Sequence, residues 1–256
     1  MIDYKEYINI DETNISNNLD SFRSMQVYWF IHNGNPNPDM EADRIGKSID
    51  AELFAKYLNV KKSKFGYKNA MEQYSEYDEL DSRHYMMCCL IFNYLKRISF
   101  EPKNILEIGG GWGNFCYINQ DIINYEKWTI IDLPHVNLLQ NQFVNEEIKD
   151  KLRINLINVK SDKYNELIKS NNTYDLTICT HSLSEFDINT FKKYIDDILI
   201  KKTKYLLYCY HHFAPNSKEL MDFKVSLLEQ HFSKISSALS ENNNVSNIIY
   251  INKKFL

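Results

Sequence analysis

Asn104-Ile105-Leu106-Glu107-Ile108-Gly109-Gly110-Gly111-Trp112-Gly113-Asn114 is the stretch that decides the fold. A short apolar run, 105–108, reads as a buried strand. Four of the chain's seven glycines follow it within five residues, and an amphipathic stretch comes next. Glycine permits positive φ and lets backbone approach a ligand closely. A helix beginning there offers unpaired N–H groups. Ligands of open α/β sheets bind beyond the carboxyl ends of the strands. The glycine turn is therefore a cofactor site by position.

Outward from the turn, apolar runs alternate with helical patterns. Strands are expected at 105–108, 128–131, 153–157, 176–180 and 205–210, and helices at 114–125, 135–151, 188–199 and 217–232. This alternation predicts an α/β, doubly wound, mostly parallel sheet. A run at 236–239, a turn at Asn242-Asn243-Asn244 and a strand at 245–251 add a terminal hairpin, for seven strands. The first hundred residues read as a helical region. Phe22, Met25 and Trp29 repeat at helical spacing, as do Phe54, Tyr57 and Leu58, and 85–95 is apolar nearly all round. Asp81 or Ser82 is the expected cap of that last helix. The division is thus 1–100, helical, and 101–256, catalytic. The loop at 32–39, with its Gly and two prolines, is the expected lid segment.

The chain has 256 residues and a net charge of −4, and its lysines are scattered. That balance argues against nucleic acid as a partner. Lys61-Lys62-Ser63-Lys64 and Lys201-Lys202-Thr203-Lys204 read as solvated flanks. The five cysteines, Cys88, Cys89, Cys116, Cys179 and Cys209, lack metal-ligand spacing and read as small buried hydrophobes of a reducing compartment. No run approaches a membrane span of about 20 apolar residues, and Met1-Ile2-Asp3-Tyr4-Lys5-Glu6 is not apolar. A cytoplasmic location is expected.

The turn is not a dinucleotide fingerprint, G-x-G-x-x-G. The sixth position from Gly109 is Asn114, and from Gly111 it is Cys116. No G-x-x-x-x-G-K-[ST] is present either. Asp132 ends the second strand, 23 residues after Gly109, where a carboxylate can accept two ribose hydroxyls.

Glu107-x-Gly109-x-Gly111-x-Gly113 resembles the E/D-x-G-x-G-x-G motif of class I S-adenosylmethionine-dependent methyltransferases. Asp132-Leu133-Pro134-His135-Val136 resembles the D-L-P segment of small-molecule O-methyltransferases. With Leu138-Leu139-Gln140 and His181-Ser182-Leu183-Ser184-Glu185-Phe186, the pattern looks like that of bacterial sugar O-methyltransferases of capsule and O-antigen synthesis, Phe186 standing in place of a Met. The resemblance covers about residues 100 to 215. It implies a Rossmann-like methyltransferase fold with an N-terminal helical extension and S-adenosylmethionine as cofactor. It also implies a small-molecule acceptor, a nucleotide-linked sugar. Glu107, Gly109, Gly110, Gly111, Gly113, Asp132 and Leu133 would hold the cofactor, with Thr180 at the end of the fourth strand and Asn158 (or Asp162) after the third.

Some methyltransferases acting on amide nitrogen carry N/D-P-P-Y/F after the fourth strand. Here that place reads Thr180-His181-Ser182-Leu183, which favours oxygen. An acceptor hydroxyl needs a general base. His181 is the first candidate, because imidazole titrates near neutral pH and His181, Ser184 and Glu185 match the H-x-x-S-[DE] pattern of the plant enzymes. His211 and His212 follow the fifth strand and are further candidates, for the base or for a phosphate of the substrate. Glu185 would orient a histidine or bind sugar hydroxyls. Trp112 would wall the cofactor pocket or pack on the helical region, and His32, His84, His135 and His231 read as structural. Asp196-Asp197 lies on a helix away from the edge, so no metal is expected. The helical region would cover the cofactor, shape the acceptor pocket or form a homodimer interface. A phosphate, phosphoramidate or phenol acceptor, a nicotinamide-dependent oxidoreductase and a non-catalytic relative are the competing readings.

Overall fold

A computed structural model describes residues 51–60, 63, 65, 79–211, 218–239 and 245–256. The expected lid at 32–39, the helical repeat at 22–29 and His212 lie outside them. Two helices of the first hundred residues are described, α1 (Ala51–Leu58) and α2 (Glu79–Arg97). The expected caps Asp81 and Ser82 fall inside α2, which starts two residues before Asp81. The alternating part then runs β1 (Asn104–Ile108), α3 (Asn114–Asn119), β2 (Lys127–Asp132), α4 (Pro134–Glu147), β3 (Ile154–Asn158), α5 (Asp162–Lys169), β4 (Tyr174–Thr180), α6 (Ser182–Glu185) and α7 (Ile188–Tyr194). A π-helical turn, Ile195–Leu199, leads through α8 (Ile200–Lys202) to β5 (Thr203–His211), α9 (Lys218–His231), β6 (Phe232–Leu239) and β7 (Val245–Asn252).

The strands form one sheet in the order β3-β2-β1-β4-β5-β7-β6. β1 to β5 are parallel, and the terminal hairpin adds two antiparallel strands. Side-chain alternation along each strand feeds two cores. Ile105, Trp128, Ile130, Leu176, Ile178, Leu207 and Cys209 share the first with residues of α2, α3 and α4. Leu106, Ile108, Ile131, Cys179, Leu206 and Tyr208 share the second with residues of α5, α7 and α9. Burial on both faces is what makes the central strands read as continuous apolar runs. All five cysteines are buried and free.

The described helices of the first hundred residues are fastened to α3 by a buried polar knot. The Tyr57 hydroxyl donates to Asn119 Oδ1 (2.6 Å), while Asn119 Nδ2 donates to Phe115 O (2.7 Å) and lies 3.0 Å from Cys88 Sγ. The same contact corrects the expected helix 114–125. The Asn119 side chain takes the Phe115 carbonyl and α3 ends there. The expected helix 188–199 is interrupted by the π turn, which keeps Ile195, Ile198 and Leu199 all buried. Helix α5 was not expected. Ser161 caps it by accepting from Tyr164 N–H (3.3 Å), and only Tyr164 and Leu167 are buried. Lys202 is not solvated. It is buried, with Nζ donating to Ser170 O.

At the sheet's amino edge, Asp175 accepts from the N–H groups of Lys103 (2.8 Å) and Asn104 (2.9 Å), locking the entry of β1 against β4. Asn252 closes β7 in a comparable way. Its buried Nδ2 donates to Ile200 O (2.9 Å) and Thr203 O (2.9 Å). Asn252→Leu leaves those carbonyls without that donor, and each unsatisfied buried group costs roughly 1–3 kcal/mol. Urea denaturation is expected to show a loss of about 3 kcal/mol; a loss below about 0.5 kcal/mol would contradict this role.

Candidate functional site

Local geometry at the carboxyl ends of β1, β2, β4 and β5 brings the expected residues onto one edge. The turn after β1 has φ +73° at Gly109, +56° at Gly111 and +102° at Gly113, the N-cap of α3. A Cβ on Gly109 would lie 2.2 Å from Ser182 Cβ, so the turn and the segment after β4 are in direct contact. Ser182 Oγ adds a hydrogen bond to Ile108 O. Gly110 lies over Ile130 and Glu107. Gly111 differs: it is exposed, and a Cβ there would meet nothing within 4 Å among the described residues. This is the point at which backbone faces open space, as a ligand passing over the turn requires.

Glu107 lies beneath the turn, not at its open side. It is buried and accepts from Trp128 Nε1 (2.9 Å). Burial is the largest influence on its carboxyl and pushes the pKa up to about 8, against the lowering effect of the Trp128 hydrogen bond. Trp112 is buried in the first core.

Asp132 is half-buried at the end of β2. Its Oδ1 accepts from Leu133 N–H (2.8 Å) and its Oδ2 from Gln140 Nε2 (2.9 Å). Desolvation pushes its pKa up to about 7, offset in part by those donors and by the N–H groups of Gly110 and Gly111. Gln140 also donates to Gly111 O (2.7 Å), and its own Oε1 accepts from Asn137 Nδ2 (2.6 Å). One amide thus joins the glycine turn to the carboxylate. Gln140 was not singled out from the sequence as a site residue. The available signal was a polar residue inside the buried stripe Val136, Leu139, Phe143 and Val144 of α4.

Leu133 is 43% exposed beside Asp132. Asn158 sits level with Asp132 on the neighbouring strand, half-buried, its Oδ1 accepting from Lys160 N–H (2.9 Å). Asp162 is the exposed first residue of α5. Thr180 ends β4, half-buried and level with Cys209.

His181 follows with φ +69° and ψ −33°, a backbone state that a non-glycine residue adopts only when its surroundings impose it. Those surroundings are visible. His181 N–H donates to Cys209 O (2.9 Å), and the His181 carbonyl accepts from Ser184 N–H (2.9 Å). Beyond α6, Lys224 is fully buried and donates to Ser184 O (2.6 Å) and Phe186 O (2.7 Å), with its ammonium 5.5 Å from the centre of the Phe191 ring. A cation at the carbonyl end of a helical turn is favourably placed. Burial lowers the Lys224 pKa, while the charges of Asp187 and Glu185 oppose that shift. Lys224, like Gln140, is a polar residue in an apolar stripe, between Met221 and Leu228. Glu185 ends α6, half-buried. His211 is the last residue of β5, level with Val245. Asp196 and Asp197 lie in the π turn, Asp197 paired with Lys201 at 3.5 Å. Among the described residues, no three His, Cys, Asp or Glu side chains come together as a metal site.

No protein-family model matches the chain, and no curated protein matches it. Solved structures do. Magnesium protoporphyrin IX methyltransferase from Synechocystis, with bound S-adenosylmethionine, aligns with 83% of this chain and 97% of its own, with a TM-score of 0.51 and 10% identity. The methyltransferase domain of a bacterial Hen1 aligns with 64% of this chain and 95% of its own, with a TM-score of 0.50 and 12% identity. The likeness lies in the fold: this chain has the seven-stranded Rossmann-like fold found in class I methyltransferases.

Proposed function

We propose that this protein is an S-adenosylmethionine-dependent O-methyltransferase whose acceptor is a hydroxyl of a nucleotide-activated sugar destined for a surface polysaccharide. The observation that carries the cofactor half is the coupled pair at the carboxyl edge. The glycine turn opens at Gly111 alone, where no described residue covers it, and Gln140 clamps it to the Asp132 carboxyl. The residues fit the group. Gly111 would admit the amino-acid part of the cofactor over bare backbone, and Asp132 would accept its ribose hydroxyls. Glu107 supports the turn from below. Leu133, Asn158 and Thr180 would flank the cofactor.

S-adenosylmethionine, when bound, supplies an electrophilic methyl group. The chain's own tasks are to align the acceptor oxygen and to take its proton. His181 would receive that proton on its imidazole, with Glu185 orienting the ring or a sugar hydroxyl. His211 and His212 stand next in order for the base or for a substrate phosphate. Lys224 would hold the His181 segment in its imposed conformation. The lack of an N/D-P-P-Y/F turn at Thr180-His181-Ser182-Leu183 supports oxygen as acceptor, and the resemblance of the 106–114, 131–134 and 181–186 segments supports a sugar. The first hundred residues would cover the cofactor, shape the acceptor pocket or pair two copies. A phosphate or phenol acceptor remains the second reading.

Calorimetry with S-adenosylhomocysteine is expected to give a Kd on the order of micromolar, lost in Asp132→Ala, with no binding of NAD(H). Binding of NAD(H) instead would overturn the cofactor assignment. Gln140→Leu is expected to weaken S-adenosylhomocysteine binding about tenfold, one hydrogen-bonded clamp being worth roughly 1.5 kcal/mol; an unchanged Kd would contradict this role for Gln140.

The raised carboxyls also set a pH dependence. Glu107 and Asp132 have folded-state pKa values of about 8 and about 7, above their ordinary 4.5 and 3.8. Their protonated forms stabilise the ligand-free fold. That contribution is complete below about pH 4 and is lost as pH rises through 7 and 8. Urea stability of the ligand-free protein is expected to fall by about 6 kcal/mol between pH 5 and pH 8, and Glu107→Gln to remove a little over half of that fall. A flat wild-type profile would contradict the assignment.

A further inference from the structure

Asn247, in β7, is 2% exposed, and both ends of its side-chain amide, Nδ2 and Oδ1, are buried without a hydrogen-bond partner among the described residues. An amide has two donors and an acceptor, and leaving them unmade in a protein interior is costly. Nearly all buried polar groups are satisfied, so this one calls for a physical reason.

Its place in the sheet supplies one. Thr180 pairs with Cys209 across β4 and β5, and Cys209 pairs with Asn247 across β5 and β7. The three residues form a single row at the carboxyl edge, one position before His181. Cys209 and Ile249 both belong to the first core, and side chains two apart on a strand share a face. Asn247 therefore faces the side of the sheet that carries α2 and α3. Neighbouring strands lie about 4.8 Å apart, so Asn247 stands roughly 10 Å along the row from Thr180. It is one strand further again from the glycine turn. That offset suits a second ligand lying beside the cofactor and not the cofactor itself. Tyr208, whose buried hydroxyl also lacks a partner among the described residues, faces the second core and takes no part.

We infer that Asn247 belongs to the acceptor subsite and recognises a neutral, hydroxyl-bearing group. The inference rests on the methyl-transfer reading and narrows its acceptor. A hydroxyl both donates and accepts, and so completes both ends of the amide. A phosphate is anionic and would place negative charge against Oδ1. The amide thus favours a sugar or another alcohol over an anionic acceptor.

Two measurements on the full chain test this. The first is the melting temperature of Asn247→Leu with saturating S-adenosylhomocysteine. Removing an unsatisfied amide is expected to raise it by about 5 °C and to leave the S-adenosylhomocysteine Kd within about twofold. The second is NMR of the ¹⁵N-labelled wild-type complex, with the Asn247 side-chain amide peaks identified by their loss in Asn247→Asp. Titration with methyl α-D-glucopyranoside is expected to shift those peaks saturably, and titration with inorganic phosphate to leave them in place. A lower melting temperature for Asn247→Leu, or amide peaks that ignore the glucoside, would overturn the assignment of Asn247 while S-adenosylhomocysteine still binds. Failure of the wild-type protein to bind S-adenosylhomocysteine would instead overturn the methyl-transfer reading.

Discussion

The side-chain amide of Gln140 donates at once to the Gly111 carbonyl and to Asp132, and the order of the carboxyl edge depends on that double contact. A glycine turn with positive φ at three positions has little intrinsic preference for one shape. Three constraints remove its freedom. Ser182 packs against Gly109, Glu107 fills the space beneath Gly110, and Gln140 fixes the far limb to the end of β2. Asn137 then decides which way the Gln140 amide faces, because it donates to Oε1 and so leaves Nε2 for the turn. What remains unconstrained is the outer surface of Gly111, where the turn is open.

A second constraint acts on the neighbouring segment. His181 is held in an unfavourable backbone state at the junction of β4 and α6. Such states cost on the order of 1–3 kcal/mol and survive only where neighbours over-determine them. The Cys209 carbonyl binds the His181 N–H, Ser184 binds its carbonyl, and Lys224 secures the carbonyls at the far end of α6. The buried ammonium of Lys224 is itself expensive to desolvate, and its two short hydrogen bonds offset that cost. Segments after β1 and β4 are thereby joined through Ser182, and those after β4 and β5 through Lys224, so the edge behaves as one unit.

Much of this was legible in the chain. The strand–glycine–helix signal, the carboxylate after β2 and the antiparallel terminal hairpin are all where the residue pattern places them, because buried parallel strands and clustered glycines leave strong local signatures. Failures occurred where local signals are weak. Helix α5 buries only Tyr164 and Leu167 among charged neighbours, too narrow a stripe to register as a period. Helix α3 stops early because one side chain, Asn119, captures a backbone carbonyl that an uninterrupted helix would use. Lys202, Gln140 and Lys224 looked like ordinary polar residues, yet each is buried and hydrogen-bonded to a backbone carbonyl distant in sequence. Their partners are set by tertiary structure, and only their position within apolar stripes hinted at it. The unsatisfied amide of Asn247 left no trace in the sequence at all.

Asp132, with a pKa raised to about 7, would meet the ribose hydroxyls of the cofactor. Hydroxyl donors favour the ionised carboxylate, so binding must expel a proton from the fraction of molecules that hold one. The direct measurement is calorimetry of S-adenosylhomocysteine binding at pH 7 in buffers of different ionisation enthalpy. The expected result is release of about half a proton per site, absent in Asp132→Asn. Binding with no proton release, or with release that persists in Asp132→Asn, would contradict the placement of the cofactor on Asp132.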